Sequence, residues 1–143
     1  MRRVRGQALP SACSAMTIKN HNPTSLYPQY PGYTHAVEVP SSARTLYISG
    51  LNGYESDGKT IPDSFEDQSE LIWGHMESIL ASAGMKIGNL VFLRTYLAHP
   101  VYIEANKKVR KKHLGDHEVG ITVVCATLLK PEWKLEIEAV ACG

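Results

Sequence analysis

The closing run of the chain, KLEIEAVA at residues 134–141, limits the fold more than any other stretch. Leu135, Ile137, Ala139 and Ala141 alternate there with Lys134, Glu136, Glu138 and Val140. A period of two sends successive side chains to opposite faces of a strand, so one face is apolar and the other carries two carboxylates. The run before it, 121–128, is mostly apolar in both phases: Thr122, Val124, Ala126 and Leu128 against Ile121, Val123, Cys125 and Thr127. A strand apolar on both sides is covered on both sides. The stretch 120–140 therefore reads as two strands joined by a turn, in a sheet that needs two coverings.

The rest of the chain offers helices for one covering only. Residues 17–32 are polar and rich in Pro, Tyr and Asn, which reads as an extended arm. THAVEVP (34–40) and ARTLYIS (43–49) flank a Pro-Ser-Ser turn and suggest a hairpin. The Gly-, Asn- and Asp-dense segment 50–64 is a loop. Over 65–83, Leu71, Ile72, Met76, Ile79, Leu80 and Ala83 recur at three- and four-residue spacing and predict a helix, capped by Ser64 and ended by Gly84. Trp73 and His75 fall beside that stripe, at its boundary. NLVFLRTYLAH (89–99) is a strand with Val91, Leu93, Thr95 and Leu97 on one face and Phe92, Arg94 and Tyr96 on the other. Pro100 opens a second helix, with Tyr102, Ala105 and Val109 inward and Lys107, Lys108, Arg110, Lys111 and Lys112 as its charged, solvated side.

The element order is strand, strand, helix, strand, helix, strand, strand: an α+β fold, one sheet with both helices on one face. The second face is then left for another copy of the chain. Phe92, Tyr96, Val123 and Cys125 would lie in that interface with Arg94, Glu136 and Glu138. Carboxylates so placed must be paired or hydrogen-bonded. Two readings stand. Either an Arg94–Glu pair simply sets the register between subunits, or one glutamate stays free and moves protons in a pocket between them.

The chain has 143 residues, one domain's worth, with 15 Lys plus Arg against 14 Asp plus Glu and a net charge of +1. That balance makes no case for nucleic acid or an anionic membrane surface. No apolar run approaches the roughly 18 residues of a membrane span. Cys13, Cys125 and Cys142 form an odd, sparse set without metal-ligand spacing, which favours a reducing, cytoplasmic setting. Residues 1–29 read as a disordered or extended segment and 30–143 as the single domain. The arginine-rich start lacks the apolar core of a secretion signal. Residues 1–15 are then an extension, with Met16 an alternative beginning and a transit peptide the less favoured option.

PGYTHAVEV, LYISG, ASAGMKIGNLVFLRTYL and KLEIEAVA resemble the Rid family, also called YjgF/YER057c/L-PSP, over roughly residues 30–141; the ANKKVRKKH helix matches more loosely. The resemblance implies a chorismate-mutase-like fold and a homotrimer whose sheets form a central barrel, with small-molecule clefts at the subunit interfaces. It also implies hydrolysis of enamines and imines such as 2-aminoacrylate, without metal or organic cofactor. By the same resemblance Tyr33 is the pocket tyrosine, Ser49 and Gly50 line the pocket at the end of a strand, and Asn106 faces it from the second helix. Glu136 would orient the attacking water, and Val123 lines the same cleft.

One position departs from the pattern. Ile121 stands where active deaminases carry an arginine that grips the substrate carboxylate. A bidentate charged contact is worth roughly 1.5–3 kcal/mol, so the chain resembles the subgroups that lack this arginine. Arg94 is the candidate replacement. The readings left open are a hydrolase using Glu136 (or, as an alternative nucleophile, Cys125), a non-catalytic metabolite-binding trimer, and an RNA-binding or RNA-cleaving protein.

Overall fold

The computed structural model describes residues 18–25, 28 and 31–143. The expected N-terminal extension, residues 1–15, lies outside the described residues. The elements in chain order are strands β1 (Lys19–His21), β2 (Ala36–Glu38) and β3 (Thr45–Leu51), helix α1 (Phe65–Ser82), strand β4 (Leu90–Leu97), helix α2 (Ile103–Leu114), and strands β5 (Gly120–Cys125) and β6 (Leu135–Cys142). One mixed sheet runs β3-β6-β4-β5, with β4 and β5 parallel and the other neighbours antiparallel. Both helices belong to an α+β arrangement that packs its core on one side of this sheet.

The alternation in β6 works as its sequence suggests: Leu135, Ile137, Ala139 and Ala141 are buried, and Glu136, Glu138 and Val140 are half-buried on the far face. In β4, likewise, Val91, Leu93, Thr95 and Leu97 are buried while Phe92, Arg94 and Tyr96 are half-buried. Helix α1 starts where Ser64 accepts a hydrogen bond from the Asp67 N–H, which satisfies one of the donors that a helix N-terminus leaves unpaired.

Three expectations about pairing and burial fail. β5 and β6 are not hairpin partners, because β4 lies between them. The connection 126–134 steps over the end of β4: the Ala126 N–H donates to the Leu97 carbonyl, and the Ala98 N–H donates to the Lys134 carbonyl, each at 2.9 Å. Parallel pairing of β4 with β5 needs a crossover, and α2 supplies it. Nor do the runs at 34–40 and 43–49 pair with each other. β2 pairs antiparallel with β1 inside the extended arm, and β3 pairs with β6. Trp73, expected at the boundary of α1, is 1% exposed. Its indole stacks on the His113 ring of α2, centroids 5.1 Å apart, so the packing of the two helices widens the buried stripe beyond the aliphatic positions.

Gln68 on α1 is also fully buried and ties the helix to two loops. Its amide nitrogen donates to the carbonyls of Pro62 (2.7 Å) and Glu132 (2.9 Å), and its oxygen accepts from the Lys134 N–H (2.9 Å). These bonds hold the 126–134 connection down at the entry to β6.

Candidate functional site

The sheet face away from the helices carries the polar half of β4 and β6. Strand register sets Arg94 between Glu138 and Thr122, and Tyr96 between Glu136 and Val124. Cross-strand partners share a face. Thr122 and Val124 therefore belong to the open face, while Ile121, Val123 and Cys125 pair with Leu93, Thr95 and Leu97 on the helix side. The expectation that Val123 and Cys125 join an interface on the open face is thus reversed. With both phases of β5 apolar, only the register with β4 could decide.

The two glutamates have different surroundings. An Arg94 guanidinium nitrogen, Nη1, donates to Glu138 Oε1, and the Tyr96 hydroxyl donates to the same oxygen at 3.4 Å. The Tyr96 hydroxyl, together with the Glu138 carboxylate, holds the Arg94 pKa above its ordinary value. The guanidinium also stands 5.4 Å from the Phe92 ring centroid. Glu136 has no hydrogen bond or ion pair among the described residues. Within the subunit Arg94 thus engages Glu138 and leaves Glu136 without such a partner.

Glu136 is seated by a backbone irregularity. Ile48 pairs with Ala139 and Leu51 with Ile137, so Ser49 and Gly50 together oppose Glu138 in a β-bulge. A methyl group on Gly50 would come within 2.9 Å of Glu136 Cδ and 3.2 Å of Cγ, and nearer still to Oε1. The absent side chain at position 50 is the space in which the carboxylate lies. Ser49, Gly50 and Glu136 therefore meet at one spot, next to the Arg94–Glu138 pair.

The other expected residues are elsewhere in the subunit. Tyr33 and Val123 line a cleft of about 690 Å³ whose walls also include Gly32, Arg110, Leu114 and His117. Gly32, at φ 82, occupies a left-handed conformation that glycine adopts without strain, and the turn delivers Tyr33 to a bridge with Val119. Ile121 lines a separate groove under β2 with Thr34, Val37, Phe92 and Val140. Asn106 is buried on α2 and is not part of either wall. Within one subunit the candidate residues thus form a carboxylate site on the open face and a tyrosine-lined cleft on the helix side.

Arg110 departs from the solvated side predicted for the charged run of α2. It is 8% exposed, and its guanidinium carbon lies 5.0 Å from the Tyr33 ring centroid. The signal was present: Asn106, Arg110 and Leu114 follow one another at four-residue spacing and share the buried face of α2. Three of the four lysines around it have local acidic partners. Lys107 pairs with Glu104, Lys111 with Asp116 and Lys112 with Glu70.

Residues 25–142 match the family model described as Endoribonuclease L-PSP. The chain belongs to this family, the Rid family that its motifs resemble. Among solved Rid structures, YyfB from Yersinia pestis, a protein of unknown function, superposes with a TM-score of 0.78 at 29% identity, covering 90% of this chain and all of that one. The mitochondrial protein Mmf1 of Saccharomyces cerevisiae is 26% identical over 96 residues, 67% of this chain. That alignment spans 66% of the yeast protein's own length. The crystal structure of yeast Mmf1 shares the fold, with a TM-score of 0.65 over 87% of this chain and 98% of that one at 23% identity. As for membranes, no helix among the described residues is long and apolar enough to cross one.

Proposed function

We propose that the protein acts as a homotrimer whose clefts are completed between subunits, and that it hydrolyses an enamine or imine there with Glu136 orienting the water. The observation that carries this reading is the unpaired Glu136 carboxylate, seated over Gly50 at the bulge while Arg94 occupies Glu138. Water adds to the electrophilic imine carbon as Glu136 takes one of its protons; the proton passes to nitrogen, the C–N bond breaks, and a carbonyl compound and ammonia leave. No covalent nucleophile is needed. Assembly is supported by the open face itself, where Tyr47 (80% exposed) and Val124 (41%) lie among half-buried Phe92 and Val140. The separation of Tyr33 from Glu136 within one subunit supports it too, since a second copy can bring the two sets together.

A non-catalytic metabolite-binding trimer is the second reading, favoured by Ile121 at the carboxylate-gripping position and by the engagement of Arg94 with Glu138. The same features argue against 2-aminoacrylate as the substrate. RNA binding is disfavoured by the net charge of +1 and the locally paired lysines. The cysteine pattern suggests the cytoplasm, whereas the yeast relative is mitochondrial; cell fractionation of the native protein decides.

Ammonia release from a panel of enamines generated in situ tests the catalytic reading. Turnover abolished by Glu136→Ala supports it. Ligand-induced stabilisation with no turnover of any panel member moves the assignment to the binding reading. Sedimentation at micromolar concentration tests assembly, and a solitary subunit rejects the inter-subunit cleft.

A further inference from the structure

The Tyr33 cleft contains an unanswered charge. Arg110 is more than nine-tenths buried, and its Nη1 has no hydrogen-bond partner among the described residues. A buried guanidinium nitrogen without an acceptor is unfavourable, and such groups in native proteins ordinarily have a partner. The residues lining the cleft include Lys107, Lys111, Arg110 and His117 and no aspartate or glutamate. Lys107 already pairs with Glu104, and Lys111 bonds to the Gly115 carbonyl and Asp116. His117 bonds through Nε2 to the Leu90 carbonyl at 2.8 Å, which makes that nitrogen the donor. Arg110 is therefore the cation of the wall that lacks a counter-charge. The remainder of the wall is apolar or aromatic, from Pro31, Tyr33, Leu114 and Val123.

We propose that Arg110 is a carboxylate-binding residue, so that the cleft takes a small organic acid with its carboxylate on the α2 guanidinium and its apolar body against Tyr33 and Val123. The fork of a guanidinium matches a carboxylate in two parallel hydrogen bonds, which a lysine cannot reproduce. The Tyr33 ring, 5.0 Å from the guanidinium carbon, steadies the cation by its π-face. The anchor that Ile121 cannot provide from β5 is then supplied from the neighbouring helix. This assignment deepens the small-molecule reading above and rests on it, but it requires binding only and no turnover.

The test is calorimetric titration of the full chain with pyruvate, 2-oxobutanoate and benzoate, alongside benzamide and inorganic phosphate. At least one carboxylate binds, benzamide binds more weakly than benzoate, and Arg110→Lys and Arg110→Gln each weaken the carboxylate by about 10- to 100-fold. Arg110→Lys keeps the charge and guards against a variant that fails to fold. Unchanged affinity in Arg110→Lys, equal binding of benzamide and benzoate, phosphate binding tighter than every carboxylate, or no carboxylate binding at all overturns the proposal. Absence of ammonia release with Arg110-dependent binding intact defeats the hydrolase reading and spares this one; ammonia release from a panel enamine with no Arg110-dependent carboxylate binding does the reverse.

Discussion

Gly50→Ala isolates the seating of Glu136. Gly50 is absent from the left-handed glycines, so alanine carries no backbone penalty there. The added methyl would sit 2.9 Å from Glu136 Cδ and 3.2 Å from Cγ, where carbon atoms pack at about 3.5–4.0 Å. The carboxylate end must move by about 1 Å, which suffices to lower a reaction rate by about 100-fold when the group is catalytic. Because the obstacle is the tip of a flexible side chain, the folding cost is only that of an unfavourable rotamer, about 0.5–1.5 kcal/mol. For a domain of this size that is a fall in Tm of about 2–6 °C. The assays are thermal unfolding and ammonia release, in the wild type and in Glu136→Ala. Gly50→Ala lowers turnover nearly as far as Glu136→Ala does, and on the Glu136→Ala background it changes neither turnover nor Tm. Loss of stability of the same size in both backgrounds would refute the argument, since the methyl would then be colliding with something other than Glu136. Full activity of Gly50→Ala would refute it as well.

Three further outcomes follow from the packing. Gln68→Ala strips two carbonyls and one N–H of their partners at the entry to β6 and destabilises by about 2–4 kcal/mol, measured by urea unfolding. Glu70, bonded first by Lys112 and also by His113, has its pKa lowered from the ordinary 4.5. Its contribution is present above that value and lost as pH falls through the lowered one, so wild type and Glu70→Gln differ by less than about 1 kcal/mol at pH 7, this pair being partly solvated, and converge once the pH is below the lowered pKa. Arg94→Ala removes a half-exposed pair, which contributes little in a lone subunit. Beneath a second copy it strands a buried carboxylate at about 3–5 kcal/mol, so sedimentation shows weakened assembly that Arg94→Ala/Glu138→Gln restores.

How much was legible in the sequence depended on whether a local period carried the information. The alternation in β4 and β6, the Ser64 cap and the aliphatic stripe of α1 all come from side chains a few residues apart, and each appears as read except Leu71, which is half-buried and outside the core cluster. The resemblance also named Gly50 and Glu136, but not that one lies in the space left by the other. What failed depended on partners distant in the chain. The phase of β5 could not be read because both of its faces are apolar, and only pairing with β4 sends Val123 and Cys125 to the helix side. Trp73 lies at a position that one helix alone would leave at its margin, and its burial comes from the His113 ring that packs against it.

By itself, the amino-acid order determined the two helices and strands β4 and β6, and that two helices leave one sheet face bare; it gave neither β1, which lies in the arm, nor the end of β5 at Cys125. Tertiary structure decided which glutamate Arg94 takes, where the bulge at Ser49–Gly50 opens room for the other, and that a helix arginine stands unanswered beside Tyr33. The physical reason is range. Backbone periodicity is written within a few residues, whereas charge pairing and close approach are settled by side chains that folding brings together from far along the chain.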